Sequence, residues 1–571
     1  MATLTPPRER TAAPRPRWGP QRRGRVAAAL LLLPALLALA LLFAAPMADV
    51  AVRSVTEPVA GFGNYTALFT DGYTLRVLGR TLLVALVVAV AGLLIAYPYA
   101  YAMTLAGRLG RAVLVTVVLI PFWTSMLARN YAWLVLMQDG GVIQRLLRPF
   151  GLGDTVLFGT TAGVAISMTQ VLLPFLVLPL YSSMQQIDRR LLDAGRSLGA
   201  GRAGAFRKVY LPLSMPGVLA GTSLVFVLAL GFYVTPALLG SPQNAMIAQI
   251  ISVRARDQLN FGAAGAMGIF VLAVTLIVVG LARRLAGRSG GGAAAPSVAG
   301  VARMGGGSGA GVGPWLRLYT VLAGVLLTAP TLVVIPMSFS AATTFRFPPE
   351  EWSLRWYENL AASPAWTTAI GNSLRVALVT AVIATVIGTA AALGLTRLGP
   401  RTRGLATGAL LSPLIVPNIL IALVVFAVFL RLGLNGTLTG IVLAHTVHAL
   451  PYVVIVVSAR LQGMDRRLPA AAASLGAPPW SAFRRVTLPL ALPGVLSGAL
   501  LAFVISLDEV VVALFLQAPG VVTLPVQMFN SVTIQIDPTI SAASSVMVVL
   551  VSIPILLAQL LGARGGKAGT R

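Results

Sequence analysis

Twelve stretches of about twenty apolar residues recur along this 571-residue chain, and they leave little choice of fold. A backbone that crosses hydrocarbon must satisfy its own N–H and C=O groups, so runs of roughly 20 apolar residues are expected to form helices that span a core of about 30 Å. The stretches fall near 26–48, 81–106, 112–137, 159–184, 216–240 and 262–284, then near 315–340, 368–394, 405–430, 438–460, 493–517 and 538–562. Composition agrees: 57% of residues are hydrophobic and 10% charged, with mean hydropathy +0.86, outside the range of soluble globular chains. There is no cysteine, which excludes disulfide frameworks and thiolate metal sites. The reading is an all-α integral membrane protein. Its first apolar run continues to Val52, longer than a signal-peptide core of roughly 7–15 residues, and reads as an uncleaved first span.

The chain also repeats itself. Asp188–Gly221 and Asp465–Gly498 align without a gap and match at 21 of 34 positions, an offset of 277. "VLLPF" at 171–175 pairs with "HALPY" at 448–452 at the same offset, whereas "LIPFW" at 119–123 pairs with "LSPLI" at 411–415 at an offset of 292. The difference of 15 residues is an insertion in the first half, around "QDGGVIQRLLRPFGLGD". The chain is therefore two homologous six-span halves.

The formal charge of +27 does not point to nucleic acid, because the arginines sit between apolar runs instead of forming one basic domain. By the positive-inside rule they mark the cytoplasmic face, which would hold both termini and "GRSGGGAAAPSVAGVARMGGGSGAGVG" (287–313). The expected organisation is a disordered basic N-terminus at 1–25, a first six-helix domain at 26–284, a glycine-rich cytoplasmic linker at 285–314, a second six-helix domain at 315–562 and a cytoplasmic tail at 563–571.

The repeated phrase lies between the fourth and fifth spans of each half. Asp188 and Asp465 suit helix N-caps, and Gly199 and Gly476 suit turns that need positive φ. Phe206, Val209 and Tyr210 share one face of a following short helix, as do Phe483, Val486 and Thr487. Pro212 and Pro489 are expected to end that helix, and Pro216 and Pro493 to open the next span. Such a segment suits either the lipid surface or a partner's groove.

"DAGRSLGAGRAGAFRKVYLPLSMPG" resembles the EAA loop of the permeases of ABC importers. On that pattern Asp193 takes the acidic position, Gly199 the glycine, Phe206 the aromatic and Pro212 the proline. Gly476, Phe483 and Pro489 match in the second copy, where Ala470 replaces the acid. Beyond the loops, "LIPFWTSMLARNYAWLVLMQDGGVIQRLL" (119–147) is similar to the first permease of spermidine/putrescine-type importers. "FRFPPEEWSLRWYENL" (345–360), "LAHTVHALPYVV" (443–454) and "ISLDEVVVALFL" (505–516) are similar to the second. The resemblance implies two tandem MetI-like permease domains in a bacterial inner membrane. It also implies two ATP-binding subunits on the coupling loops, a separate extracytoplasmic solute-binding protein, and a polyamine as the solute. Single-chain permeases of this sort also occur among ferric-iron and thiamine importers.

No phosphate cradle is present: "GARGGKAG" (562–569) has a misplaced first glycine and Ala568 where Ser or Thr is needed. No catalytic residue, metal site or cofactor is expected, and ATP hydrolysis is assigned to another polypeptide. A twelve-span ion-coupled secondary transporter is the alternative of a different class; "AGRLGR" (106–111) lacks the aspartate of that family's loop. His445 and His448 stand one turn apart without a third ligand nearby, which favours packing or hydrogen bonding over metal. Asp508 and Glu509 are the acidic pair inside a long apolar run. Their counterparts in the first half are Gly231 and Phe232, so the acid is asymmetric. Adjacent helical residues diverge by about 100°, so the two acids are not expected to face one narrow channel together; for a cationic solute Asp508 is taken as the one on the path, and Glu509 as bonded to a neighbouring helix or near the outer surface. A structural role for both acids remains the alternative.

Overall fold

The computed structural model describes residues 20–188, 190–288, 312–465, 467–534 and 537–567. Most of the expected N-terminus, linker and tail (1–19, 289–311 and 568–571) lies outside them. Among the described residues there is no strand, and nine helices are long and apolar enough to cross a membrane. Each expected span maps onto a helix or a bent pair of helices, but four of the twelve are not straight crossings.

The third and ninth expected spans are broken. Arg108–Pro121 meets Met126–Met137 at 89°, and Pro400–Leu414 meets Asn418–Arg431 at 90°. The breaks sit at Thr124–Ser125 and Val416–Pro417, where Ser125 and Pro417 are the N-caps of the second pieces. Those pieces are apolar because they are buried in protein: every residue of 127–137 is buried. The fifth and eleventh expected spans also stop short. Arg202–Leu230 and Pro479–Leu507 end at Gly231 and Asp508, and short helices resume at Val234 and Val511.

Each half is built on a three-helix core. Gly72–Leu105, Thr161–Gln185 and the 202–230 helix pack mutually, as do Pro364–Leu395, Leu438–Gln462 and the 479–507 helix. Close approach of the last two in each set follows from a pair of glycines four residues apart inside the repeated phrase. A Cβ on Gly217 would lie 2.5 Å from Ser183 Cβ, and one on Gly494 2.6 Å from Arg460 Cβ; Gly221 and Gly498 meet Leu176 and Val453. Helices in lipid associate through such small-residue seams because solvent exclusion gives them no help.

The first helix of each half crosses to the other half. Val26–Thr56 packs on 364–395, and Pro314–Met337 packs on 72–105 and 126–137. Tyr319 O–H reaches Leu94 O and Ile95 O, both at 3.1 Å. Asp49 accepts from Arg53 Nε at 2.8 Å and from Arg431 Nη1 at 3.1 Å, tying the first helix to the end of 418–431.

Candidate functional site

The breaks in the fifth and eleventh spans share one backbone geometry. Gly231 has φ −95° and ψ 10°, and Asp508 has φ −96° and ψ 2°. Two residues on, Tyr233 (−108°, −50°) and Val510 (−112°, −46°) agree as closely. What differs is the side chains and what they meet. Asp508 accepts Ser125 O–H at 2.6 Å and the Met126 N–H, which lies 3.2 Å from both carboxylate oxygens. A carboxylate is thus held at the N-terminus of the 126–137 helix, where free N–H groups and the helix dipole favour negative charge. Gly231 has no room for such a group: a Cβ there would lie 2.5 Å from Pro417 Cβ. Ser125 and Pro417 are equivalent in the repeat, so these are two copies of one contact between the halves, one polar and one apolar.

The acid pair is therefore not two neighbours on a continuous helix, as its sequence context suggests. A continuous helix would hold two adjacent carboxylates midway along an apolar run, a costly arrangement. The break gives each acid a different helix end to cap. Glu509, buried, accepts Val512 N–H at 3.1 Å and Ala513 N–H at 3.0 Å. Its Oε2 is 3.5 Å from His445 Nε2, and His445 Nδ1 is 2.9 Å from Ser506 Oγ. The His448 ring is tilted against Tyr452 at 6.2 Å. Asp508 keeps partial exposure.

Three polar residues at the start of the 126–137 helix escaped sequence reasoning: Ser125, Arg129 and Asn130. Arg129 is only 8% exposed; Nη1 reaches Val171 O at 3.5 Å, and Nε has no hydrogen bond. Asn130 donates to Met126 O at 2.8 Å and accepts from Thr235 at 2.6 Å. The signal was available, since an Arg–Asn pair inside an apolar run is a functional candidate by default. A cavity of about 670 Å³ lies elsewhere, at the arginine-rich turn around Thr396, Arg403 and Gln462, and no carboxylate lines it.

The repeated loops form helices Arg190–Ser197 and Arg467–Ser474. Asp188 and Asp465 each accept the N–H two residues on at 2.9 Å. Gly199 (φ +88°) and Gly476 (φ +81°) make the turns that follow, with nothing within 4 Å of either Cβ position. Leu198 and Leu475, just before them, are 89% and 90% exposed. Asp193 is exposed beside Arg196, and Ala470 is also exposed.

Pro212 and Pro489 do not end a helix here, nor do Pro216 and Pro493 begin one. All four lie inside the continuous helices 202–230 and 479–507. Each helix widens into a π turn, Phe206–Tyr210 and Phe483–Thr487, in which Leu211 N–H donates to Phe206 O and Leu488 N–H to Phe483 O, five residues back. That extra residue shifts the hydrogen-bond register ahead of each proline, so the chain continues where a regular α-helix would break.

The two loops are seated differently. Phe206 packs among Tyr97 (6.2 Å), Tyr101 (5.7 Å) and Tyr210 (5.5 Å). The equivalent positions of the second half hold Thr389, Leu393 and Thr487, and Phe483 instead meets Trp480 at 5.5 Å, an exposed side chain.

The family model described as "Binding-protein-dependent transport system inner membrane component" matches residues 25–290 and 384–564. The putrescine transport system permease protein PotI of Escherichia coli (strain K12) is 36% identical over 267 residues, 45% of this chain and 94% of its own length. The spermidine/putrescine transport system permease protein PotB of the same strain is 34% identical over 238 residues, 41% of this chain and 86% of its own. Among solved structures, a chain from a bacterial ABC transporter involved in the import of the acidic polysaccharide alginate aligns with TM-score 0.38 and 20% identity, covering 47% of this chain and 96% of its own.

Proposed function

This chain belongs to the family of binding-protein-dependent transport system inner membrane components, and from that premise we propose that it moves a polyamine such as putrescine or spermidine into the cytoplasm as the whole permease of an ABC importer. It is a fused, two-domain permease: each curated relative aligns with about half of it. The observation that carries the polyamine reading is that these relatives are named for putrescine and spermidine transport. A carboxylate held between the halves, Asp508, suits a cationic solute. In this reading Asp508 faces the path and Glu509 braces the break behind it.

The remaining assignments follow the same reading. The domain limits are 26–284 and 315–562, with both termini and the intervening linker in the cytoplasm. The 190–212 and 467–489 loops seat two separate ATP-binding subunits through Asp193, Gly199, Phe206 and Pro212, and through Ala470, Gly476, Phe483 and Pro489. A binding protein delivers solute at the opposite face. The helix running from each loop supplies the linkage: 202–230 and 479–507 are 29 residues each, about 43 Å, and end at the two breaks. Displacement of a loop by its ATPase is thereby carried as one rigid element to the contact between halves.

Uptake of labelled putrescine into proteoliposomes that hold the chain with its ATPase and binding protein is the test. ATP-dependent accumulation is expected, blocked by excess spermidine. Transport of ferric iron or thiamine with no polyamine uptake would overturn the substrate while sparing the permease. Uptake driven by an ion gradient without ATP would overturn both.

A further inference from the structure

The two halves meet at two contacts that the repeat makes equivalent, yet their chemistry is opposite. At the first, Ser125 and Met126 of one half donate to Asp508 of the other, with Arg129 one turn further along the same helix and Glu509 next to Asp508 in the chain. The counterparts at the second are Pro417, Asn418 and Ile421 with Gly231 and Phe232. The backbone at the two breaks is the same within 8°, so the asymmetry belongs to side chains alone. Every ionisable group at one contact has an apolar or small residue at the other.

A further observation marks the first contact as a place for a cationic group. Asp508, although it receives Ser125 and Met126, remains partly exposed and keeps lone pairs free for an ammonium group. The second contact offers neither charge nor room, since Pro417 occupies the space that any side chain at 231 would need.

We propose that the solute's ammonium group passes the breaks along the Ser125–Asp508 contact alone, while the Gly231–Pro417 contact is an apolar bearing on which the halves turn without admitting solute. The proposal rests on the cationic-solute reading above. It makes Ser125 a specificity-determining residue of the first half, and Asp508 that of the second.

The chain contains no cysteine, so a single introduced thiol reports its own position. Met126 and Asn418 occupy equivalent positions beside the two contacts, the first half-buried and the second exposed. In the reconstituted complex, saturating putrescine should slow modification of Met126→Cys by a positively charged methanethiosulfonate tenfold or more, and that of Asn418→Cys less than twofold. Equal protection at both positions overturns the proposal. As a second test, Asp508→Asn should lower putrescine uptake at least tenfold at unchanged membrane abundance. Adding Gly231→Asp and Pro417→Ser to it moves the acid and its hydroxyl partner to the other contact and should restore nothing; recovered uptake overturns the proposal. Should the triple variant not insert, the thiol comparison decides by itself. If the unmodified complex takes up no polyamine, the substrate reading fails and this proposal falls with it; uptake with equal protection defeats the proposal only.

Discussion

Substituting Gly199 by alanine isolates the contribution of one backbone conformation. The position has φ +88°, and nothing lies within 4 Å of the added Cβ, so steric collision with neighbours contributes nothing. The cost is that of holding an L-residue in the left-handed region, about 1–2 kcal/mol. Relaxing the turn to negative φ would redirect Leu198 and the helix before it, so the docking-competent loop becomes a minority population. Apparent affinity falls by the populated fraction, and 1–2 kcal/mol is a factor of about 5–30. ATPase binding to the chain in nanodiscs should weaken by that factor, while membrane abundance and thermal stability of the spans stay unchanged. Gly199→Asn should lose less, because asparagine tolerates positive φ. The double variant with Gly476→Ala should show the product of the two single effects if each loop seats its own ATPase. Unchanged ATPase affinity in both alanine variants would refute the turn's role, and loss of insertion would show that the glycine serves the fold instead.

Gly494→Leu would thrust a side chain into Arg460, whose Cβ lies 2.6 Å from the new Cβ; overpacking of this kind costs about 1–3 kcal/mol, read as a lowered melting temperature in detergent. Reporter fusions at residue 300 and at both termini should all report the cytoplasmic side, and an external linker would break the two-by-six arrangement. Asp71 caps the 72–105 helix, accepting Tyr73 N–H, Thr74 N–H and Thr74 O–H, and the Thr74 bonds hold its carboxyl below the usual range. A depressed folded-state pKa means the cap stabilises above the unfolded value and is lost as pH falls through the folded one. Amide exchange at 73–75 should therefore rise only under strongly acidic conditions, a dependence that Asp71→Asn removes.

The spans were legible because apolar length is a local property of the chain, and the glycine turns because the repeat displayed them twice. The breaks were not. The apolar runs 216–240 and 493–517 are each long enough to read as unbroken, and the helix end that Asp508 caps belongs to the other half. Ser125 and Asp508 are 383 positions apart. The prolines misled for the opposite reason. Read locally, Pro212 ends a helix, yet one residue of π register absorbs its missing N–H. The acid pair stood out by composition, but its geometry depended on a helix from the other half. The exchange of first helices between halves left no mark in either apolar pattern.

That exchange bears on how the protein is made. Val26–Thr56 leaves the ribosome well ahead of the helix it packs on, 364–395, which is synthesised more than 300 residues later. Throughout that interval the first half waits in the bilayer with one packing surface met only by lipid. Were the halves separate polypeptides, closing that surface would require a lateral search for a partner. Joined in one chain, the late helix arrives at an effective concentration fixed by the tether, in the millimolar range for short flexible links. Covalent fusion thus acts as an assembly device: it sets the stoichiometry at one to one and shortens the time during which an incomplete half is open to misassembly or degradation.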